Sequence, residues 1–384
     1  MMKKIVLASH AVFIKEGGEM HGSAHVLADF LRKKKVSFYF IKHALDGKSK
    51  TEIEFFGFAP EKIEIRKKGR RAQTSFFRLA REVVVTLFFA YKIASVDVYI
   101  GVDPLNALAG VILRKLKLVK TVVYFTPDFS KRRFASVILN KIYHLVDRFD
   151  LRNSDFVWNA SRRITGERIK QGVPKEKNFY IPNSADFERF KRLPFDQIKK
   201  HDMVLASNLT KSLDYGPAFF EGLGKIVAKY PDTRLLVLGS GDYEEIFKKE
   251  VAKYGLGKAV IFMGRKSYDE VINILPQCGL GLAIYSGKSD WNFYGDAKKA
   301  WDYLAAGLPV IINDIPENAR LVSEAGAGEL LARDFTAEDF FGLVDKIFGD
   351  KDYYQKLKDG AVNLAREYDI MKILEERAKD LNII

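Results

Sequence analysis

Gly295, Lys299 and Asp302 stand at i, i+4 and i+7 within the stretch NFYGDAKKAWDYLAAGLPVIINDIP, Asn292 to Pro316. On an α-helix that spacing puts all three on one face. A lysine there can meet phosphate oxygens, and an aspartate can accept hydrogen bonds from a ribose diol, as acidic residues do in dinucleotide sites. The remaining face, Ala300, Trp301 and Leu304, is apolar, and Gly307-Leu308-Pro309 stops the helix before the next apolar run. A charged face on a helix packed that deeply needs partners. The competing reading is a Lys–Asp pair on a solvated helix, which is worth little energetically.

Four turns after predicted strands add to this stretch: Leu205-Ala206-Ser207-Asn208, Leu238-Gly239-Ser240-Gly241, Met263-Gly264-Arg265 and Tyr294-Gly295-Asp296. Glycine lets backbone N–H groups approach a ligand closely, and a helix start concentrates such donors at the positive end of its dipole. One such turn is only a strand-to-helix connection. Four in one half of the chain point to a nucleotide-diphosphate site.

The elements that must position these turns alternate along the chain. Strands are predicted at Ile5–Ala8, Ser37–Ile41, Val96–Ile100, Thr121–Phe125, Phe156–Asn159 and Phe179–Ile181, with helices near Ala24–Arg32, Phe76–Ile93 and Leu105–Leu116. The segment Pro182–Pro194 breaks the pattern, which then restarts. Strands follow at Met203–Ala206, Arg234–Leu238, Ala259–Met263, Leu280–Tyr285 and Val310–Ile312. Helices lie near Gly216–Lys229, Tyr243–Tyr254, Ser267–Leu275 and Asp296–Ala306, and the tail from Thr336 is helical. This βαβα rhythm implies an α/β protein of two doubly wound, Rossmann-like domains facing across a cleft. The first is expected over residues 1–188, completed by a C-terminal helix at 368–384, and the second over 189–367. Ligands of such sheets sit beyond the carboxyl ends of the strands.

The 384 residues carry a net charge of +14, unevenly placed. Residues 1–190 hold 36 Lys and Arg against 19 Asp and Glu, a net of +17, and the remainder holds 27 against 30, a net of −3. Clusters at Arg32–Lys35, Arg66–Arg71 and Lys131–Arg133 suit an anionic surface such as lipid head groups or a phosphorylated acceptor. Nucleic acid is not expected, because no basic motif is interleaved with aromatic residues. The opening apolar run is too short for a signal segment, and Val83–Ala94 is too short to span a bilayer. A cytoplasmic protein, peripheral on the inner face of the cell membrane, is the expectation. Cys278 is the only cysteine, so no intrachain disulfide and no cysteine zinc site can form. The six histidines show no metal-ligand spacing, Asp350-Lys351-Asp352 reads as a helix cap, and no phosphate-binding Gly-Lys-Ser/Thr loop occurs. Neither a metal nor another cofactor is expected.

Four segments, in order, carry a resemblance: GVPKEKNFYIPNSADFERF, LLVLGSGDYEE, VIFMGRKSYDEVINILPQCGLGLAIY and YGDAKKAWDYLAAGLPVI. From Lys170 to Gly328 the chain resembles the retaining glycosyltransferases of GT-B fold, family 4-like, a large bacterial and archaeal group that uses nucleotide-sugar donors. The resemblance implies that Asp302 replaces the glutamate holding the donor ribose, with Gly295, Asp296 and Lys299 beside sugar and diphosphate. It implies Gly264 and Arg265 at the base and Gly239 and Gly241 in the cleft wall. Gly22 and Ser23 would offer N–H groups to the donor phosphate. The stretch SNLTKSLDYG departs from the family: Asn208 and Tyr215 occupy the places of an Arg and a Lys that stabilise the departing diphosphate, and Lys211 is the substitute. Tyr294 stands where the family has an acid, for which Asp296 compensates. Asp128 stands near a polar catalytic position, or else caps a helix beginning at Ser130.

The function expected is transfer of a sugar from a UDP- or GDP-sugar to a glycan or lipid-linked acceptor, with retention, by a hexosyltransferase-type enzyme. The alternative is a non-catalytic binding protein on the same fold, docking an anionic membrane or a glycan.

Overall fold

Among the described residues every strand but one runs parallel to its neighbours. A parallel strand needs a long crossover, and the helical segments read from the sequence supply it. The computed structural model describes residues 3–11, 21–44, 51–57, 75–93, 95–210 and 215–384. The chain divides into two units, Met1–Pro182 with Met371–Ile384, and Asn183–Ile370.

The first unit has strands β1 (Ile5–Ala11), β2 (Phe38–Ala44), β3 (Glu52–Phe56), β4 (Val96–Val102), β5 (Val119–Thr126), β6 (Phe156–Asn159) and β7 (Asn178–Tyr180). Their order is β3-β2-β1-β4-β5-β6-β7, with β3 the antiparallel edge. The order reverses between β1 and β4, where Ile5 pairs Phe38 on one side and Val98 on the other.

The second unit repeats the pattern with β8 (Lys199–Ala206), β9 (Arg234–Leu238), β10 (Val260–Gly264), β11 (Cys278–Ala283), β12 (Val310–Asn313) and β13 (Gly328–Leu331). The order is β10-β9-β8-β11-β12-β13, so its reversal lies between β8 and β11. Side chains alternate across this sheet. Met203, Leu205, Leu280 and Leu282 join a core rich in aromatics, including Phe219, Phe220, Phe247 and Phe340. Val204 and Ala283 join the other, built on Ala300, Trp301, Tyr303 and Leu304 of the helix Lys298–Ala305.

That helix begins two residues later than its sequence suggests. Gly295 is extended, at φ −85° and ψ 157°, and ends a short helix Asp290–Tyr294. The Ala297 amide donates to Asn318 Oδ1 at 2.8 Å and the Glu317 amide to the Gly295 carbonyl at 3.0 Å, so a neighbouring loop holds residues 295–297 off the helix. Gly295 therefore does not share a helix face with Lys299 and Asp302. In the first unit, no helix starts at Ser130. The next one is Val137–Asn153, capped by Ser136, whose hydroxyl accepts from the Leu139 amide. Asp350 does cap a helix, accepting from the Asp352 and Tyr353 amides at 2.9 Å each.

The helix Lys298–Ala305 reaches the sheet closely because β11 has a glycine beneath it. A Cβ on Gly281 would stand 2.3 Å from Cδ2 of the buried Tyr303 ring. Gly281→Ala is expected to lower unfolding free energy by about 1–3 kcal/mol, the usual cost of overpacking. A urea midpoint equal to that of the parent protein would show that the ring has room to move.

Candidate functional site

The two strands at the reversal of the second sheet separate after the pair Val204–Gly281. Tyr303 ties their ends together: its hydroxyl accepts from the Ala206 amide at 2.8 Å and donates to the Leu282 carbonyl at 3.4 Å. The loop after β8 is held from the other side. Ser207 N–H donates to the Leu238 carbonyl, and Leu209 N–H to that of Ser240. Gly239 has φ +149°, and a Cβ there would stand 1.8 Å from the Ser207 carbonyl oxygen. The glycine turn after β9 is thus demanded by one loop packing on another.

Two lysines at the start of the helix Lys298–Ala305 diverge. Lys298 lies 3.2 and 3.3 Å from the two carboxylate oxygens of Asp302 and 4.8 Å from the centroid of the Tyr268 ring. The Tyr268 hydroxyl donates to Asp302 Oδ1 at 2.8 Å. The Lys–Asp pair of the competing reading is formed by Lys298, one turn before the acid, and not by Lys299. Lys299 turns toward the strand ends, donating to Ser207 Oγ at 2.9 Å with its ammonium 4.6 Å from the Tyr285 ring centroid. Burial pushes this amine down to about 7. Tyr285 is itself pinned, because buried Asn313 accepts from its amide at 2.9 Å and donates to its carbonyl at 2.7 Å. Tyr285 and Asn313 also line a cavity of about 380 Å³ with Gly216, Lys288, Arg333 and Phe335.

The residues singled out in the sequence are distributed as follows. Lys299, Asp302 and the buried Asp296 stand on or just before one helix, and Asp296 accepts from the Trp301 indole at 3.4 Å. Gly239 and Gly264 adjoin, with Gly239 N–H donating to the Gly264 carbonyl at 2.8 Å. Gly264 sits at φ +67° and Arg265 is exposed beside it. Asn208 is exposed after β8, whereas Tyr294 is buried. Tyr215 is a core residue against Phe219 and Phe247, so no charge replaces the expected lysine there. Lys211 lies outside the described residues. Sequence reading passed over Lys298, Tyr268, Tyr285 and Asn313, and in the turn after β8 it singled out Asn208 rather than Ser207. Only the i, i+4 spacing of Lys298 and Asp302 was a usable signal.

The first unit places Gly22 before the helix Ser23–Lys33, but the Gly22 amide already donates to His25 Nδ1 at 3.2 Å. Asp128 does not cap a helix; it pairs with Arg133 in the loop after β5. Burial raises its carboxyl against the pull of that guanidinium. At the reversal of this sheet His10 was also missed. Its Nε2 lies 3.1 Å from Glu82 and its Nδ1 3.4 Å from Asp103. Burial opposes a charge there, yet the two carboxylates raise the imidazole to about 9. Among the described residues no group of His, Cys, Asp and Glu could hold a metal ion.

An amine near 7 is distinguishable from ordinary lysines near 10.4. Competitive acylation with trace acetic anhydride, read by peptide mass spectrometry, should show Lys299 labelling with a midpoint near pH 7, once corrected for accessibility. A midpoint near 10 would mean that water reaches the amine freely.

The comparisons bear on this geometry. Residues 218–363 match the family model described as glycosyl transferases group 1. No curated protein matches the chain by sequence. Among solved structures, HepE of Anabaena in complex with UDP is similar at TM-score 0.71 and 15% identity, with 100% of each chain covered. WaaG, a glycosyltransferase involved in lipopolysaccharide biosynthesis, is similar at TM-score 0.68 and 14% identity, covering 98% of this chain and 99% of that one. A UDP-N-acetylglucosamine 2-epimerase shares the fold at TM-score 0.62 and 13% identity, over 100% of this chain and 98% of its own. The family match covers the segment that bears Lys299 and Asp302. The chain has the GT-B fold of glycosyltransferases such as WaaG, and its residues 218–363 match the glycosyl transferases group 1 model.

Proposed function

We propose that the protein transfers a hexose from a UDP-sugar to a glycan or lipid-linked acceptor, with retention of configuration and without a resident metal. The observation that carries this reading is that the helix Lys298–Ala305 bears both Lys299, which reaches Ser207 just after β8, and Asp302, beside the β8–β11 reversal. Asp302 accepts hydrogen bonds from the ribose diol, exchanging its contacts with Lys298 and Tyr268. Lys299 and the helix start meet the diphosphate, and Gly264 and Arg265 border the base. Asp296 lies beside the sugar. Lys211 and Asp128 are the proposed catalytic residues, with Asp128 on the acceptor side in the basic first unit.

In the reaction the bond from the anomeric carbon to the diphosphate oxygen breaks, and the acceptor oxygen bonds to that carbon on the same face. The acceptor proton passes to the departing phosphate oxygen, so no side-chain nucleophile is required. Fixed positive charge matters most where negative charge grows. A desolvated lysine is suited to this: an anion beside it restores its proton, and their attraction is strong where water is excluded. The complexes of HepE with UDP and UDP-glucose favour uridine over guanosine.

UDP should raise the melting temperature more than GDP does. Asp302→Ala should lose most of that shift. Lys299→Met should lower transfer from UDP-glucose by about 10²–10³, the cost of losing one fixed donor to a developing anion. Because Lys299 is neutral above about pH 7 in the free protein, UDP binding there must take up a proton. Affinity should therefore weaken by up to about tenfold per pH unit from 7 to 8.5, and the slope should vanish in Lys299→Met. Equal donor turnover by the parent and Asp302→Ala would favour the non-catalytic alternative.

A further inference from the structure

The helix Val137–Asn153 in the first unit is apolar where it should be polar. Val137, Ile138 and Leu145 are 64%, 70% and 63% exposed, and Ile142 is 41% exposed. Ile138, Ile142, Leu145 and the half-buried Phe149 recur at i, i+4, i+7 and i+11, which makes one continuous ridge about 16 Å long. Lys141, Arg148 and Arg152 are exposed along its side. Lys115, from the helix before β5, lies 4.8 Å from the centroid of the Phe149 ring.

Both acids of this helix face inward. Asp147 is clamped by Arg168 at 2.7 and 3.0 Å and by the Tyr124 hydroxyl at 2.5 Å, and Asp150 is fully buried. The anchored inner face cannot roll outward, so the exposed face carries apolar and cationic groups and no acid. A helix of this kind, with apolar side chains beside lysine and arginine, lies flat in the interface of an anionic bilayer.

We propose that Val137–Asn153 docks the protein on an anionic lipid surface, with Ile138, Ile142 and Leu145 inserted among the acyl chains and Lys141, Arg148 and Arg152 on head-group phosphates. A second copy of the chain fits poorly, since two such faces carry like charge. A polyanion such as RNA would use the cations and leave the ridge unburied. The same helix is stapled to the loop bearing Asp128 and Arg133: Asn140 Oδ1 accepts from the Phe134 amide at 2.9 Å, and the Arg133 guanidinium lies 5.4 Å from the Tyr143 ring centroid. Docking therefore brings the loop after β5 to the lipid surface. This deepens the transferase reading by giving the acceptor a lipid carrier, and rests on that reading only for this consequence.

Flotation with vesicles of phosphatidylcholine alone, or with 30% phosphatidylglycerol (roughly an anionic bacterial surface), tests the docking. The parent protein should float with the anionic vesicles only. Ile138→Ser with Leu145→Ser removes the ridge without changing charge and should lower the bound fraction at least tenfold. Lys141→Gln with Arg148→Gln should erase the preference for phosphatidylglycerol. Tyr91→Glu alters an equally exposed apolar side chain on the helix Ser75–Ile93 and should leave flotation unchanged. Failure of the parent protein to float overturns the proposal. So does binding that ignores the serine pair, which would mark plain charge attraction of the kind RNA also exploits, and so does a loss confined to Tyr91→Glu. A concentration-dependent dimer abolished by the serine pair would assign the ridge to self-association and overturn it equally. The melting shift with UDP is read on every variant. A preserved shift without flotation removes the docking alone, and flotation without any shift removes the donor reading alone.

Discussion

The position of the second unit's site depends on one tyrosine hydroxyl. Where β8 and β11 part, the Ala206 amide and the Leu282 carbonyl lie beyond the last pair of their ladder, and Tyr303 serves both. A buried amide or carbonyl left unpaired costs about 1–3 kcal/mol, so the strand ends and the helix Lys298–Ala305 are held as one piece. The ring can stand there only because residue 281 lacks a side chain. Lys299 is four residues before Tyr303 on the same helix, and its amine is thereby delivered to Ser207 and Tyr285. Asn313, at the end of the next strand, fixes Tyr285 by its own pair of hydrogen bonds.

The resemblance read from the sequence implies two cations after β8 that are not there. The stretch after β8 lacks an arginine at Asn208 and a lysine at Tyr215, and Tyr215 lies inside the aromatic core. Lys299 brings an amine to the end of the same strand from a different element. Burial lowers this amine to about 7, so near neutral pH it carries only part of a charge.

The first unit solves a similar problem with opposite means. His10, at the reversal of its sheet, is flanked by Glu82 and Asp103 and is kept charged, while His43 beyond it is pushed down to about 4 by burial and by the His10 charge. Asp103 adopts φ +77°, a backbone conformation that costs a non-glycine residue of order 1–3 kcal/mol. Within the same unit the basic excess is not spread uniformly. On the helix Val137–Asn153 the acids are consumed by Arg168 and by burial, which leaves the outward side cationic and apolar.

Much of the architecture was legible in the sequence because it follows from local pattern. Alternating apolar runs and helical periods, broken once near Pro182 and restarted, specify two parallel sheets, since only crossover helices can join strands of that kind. The candidate helix was legible for the same reason: its apolar face is written in Ala300, Trp301 and Leu304. The partners of its charged residues were not. Lys298 and Lys299 are adjacent and chemically identical, and which one meets Asp302 depends on where the helix begins. A loop further along the chain sets that start, through Asn318 and Glu317. Spacing along one chain segment determined which residues could share a face; contacts between distant segments decided which of them do, because hydrogen bonds and burial are settled by neighbours in space.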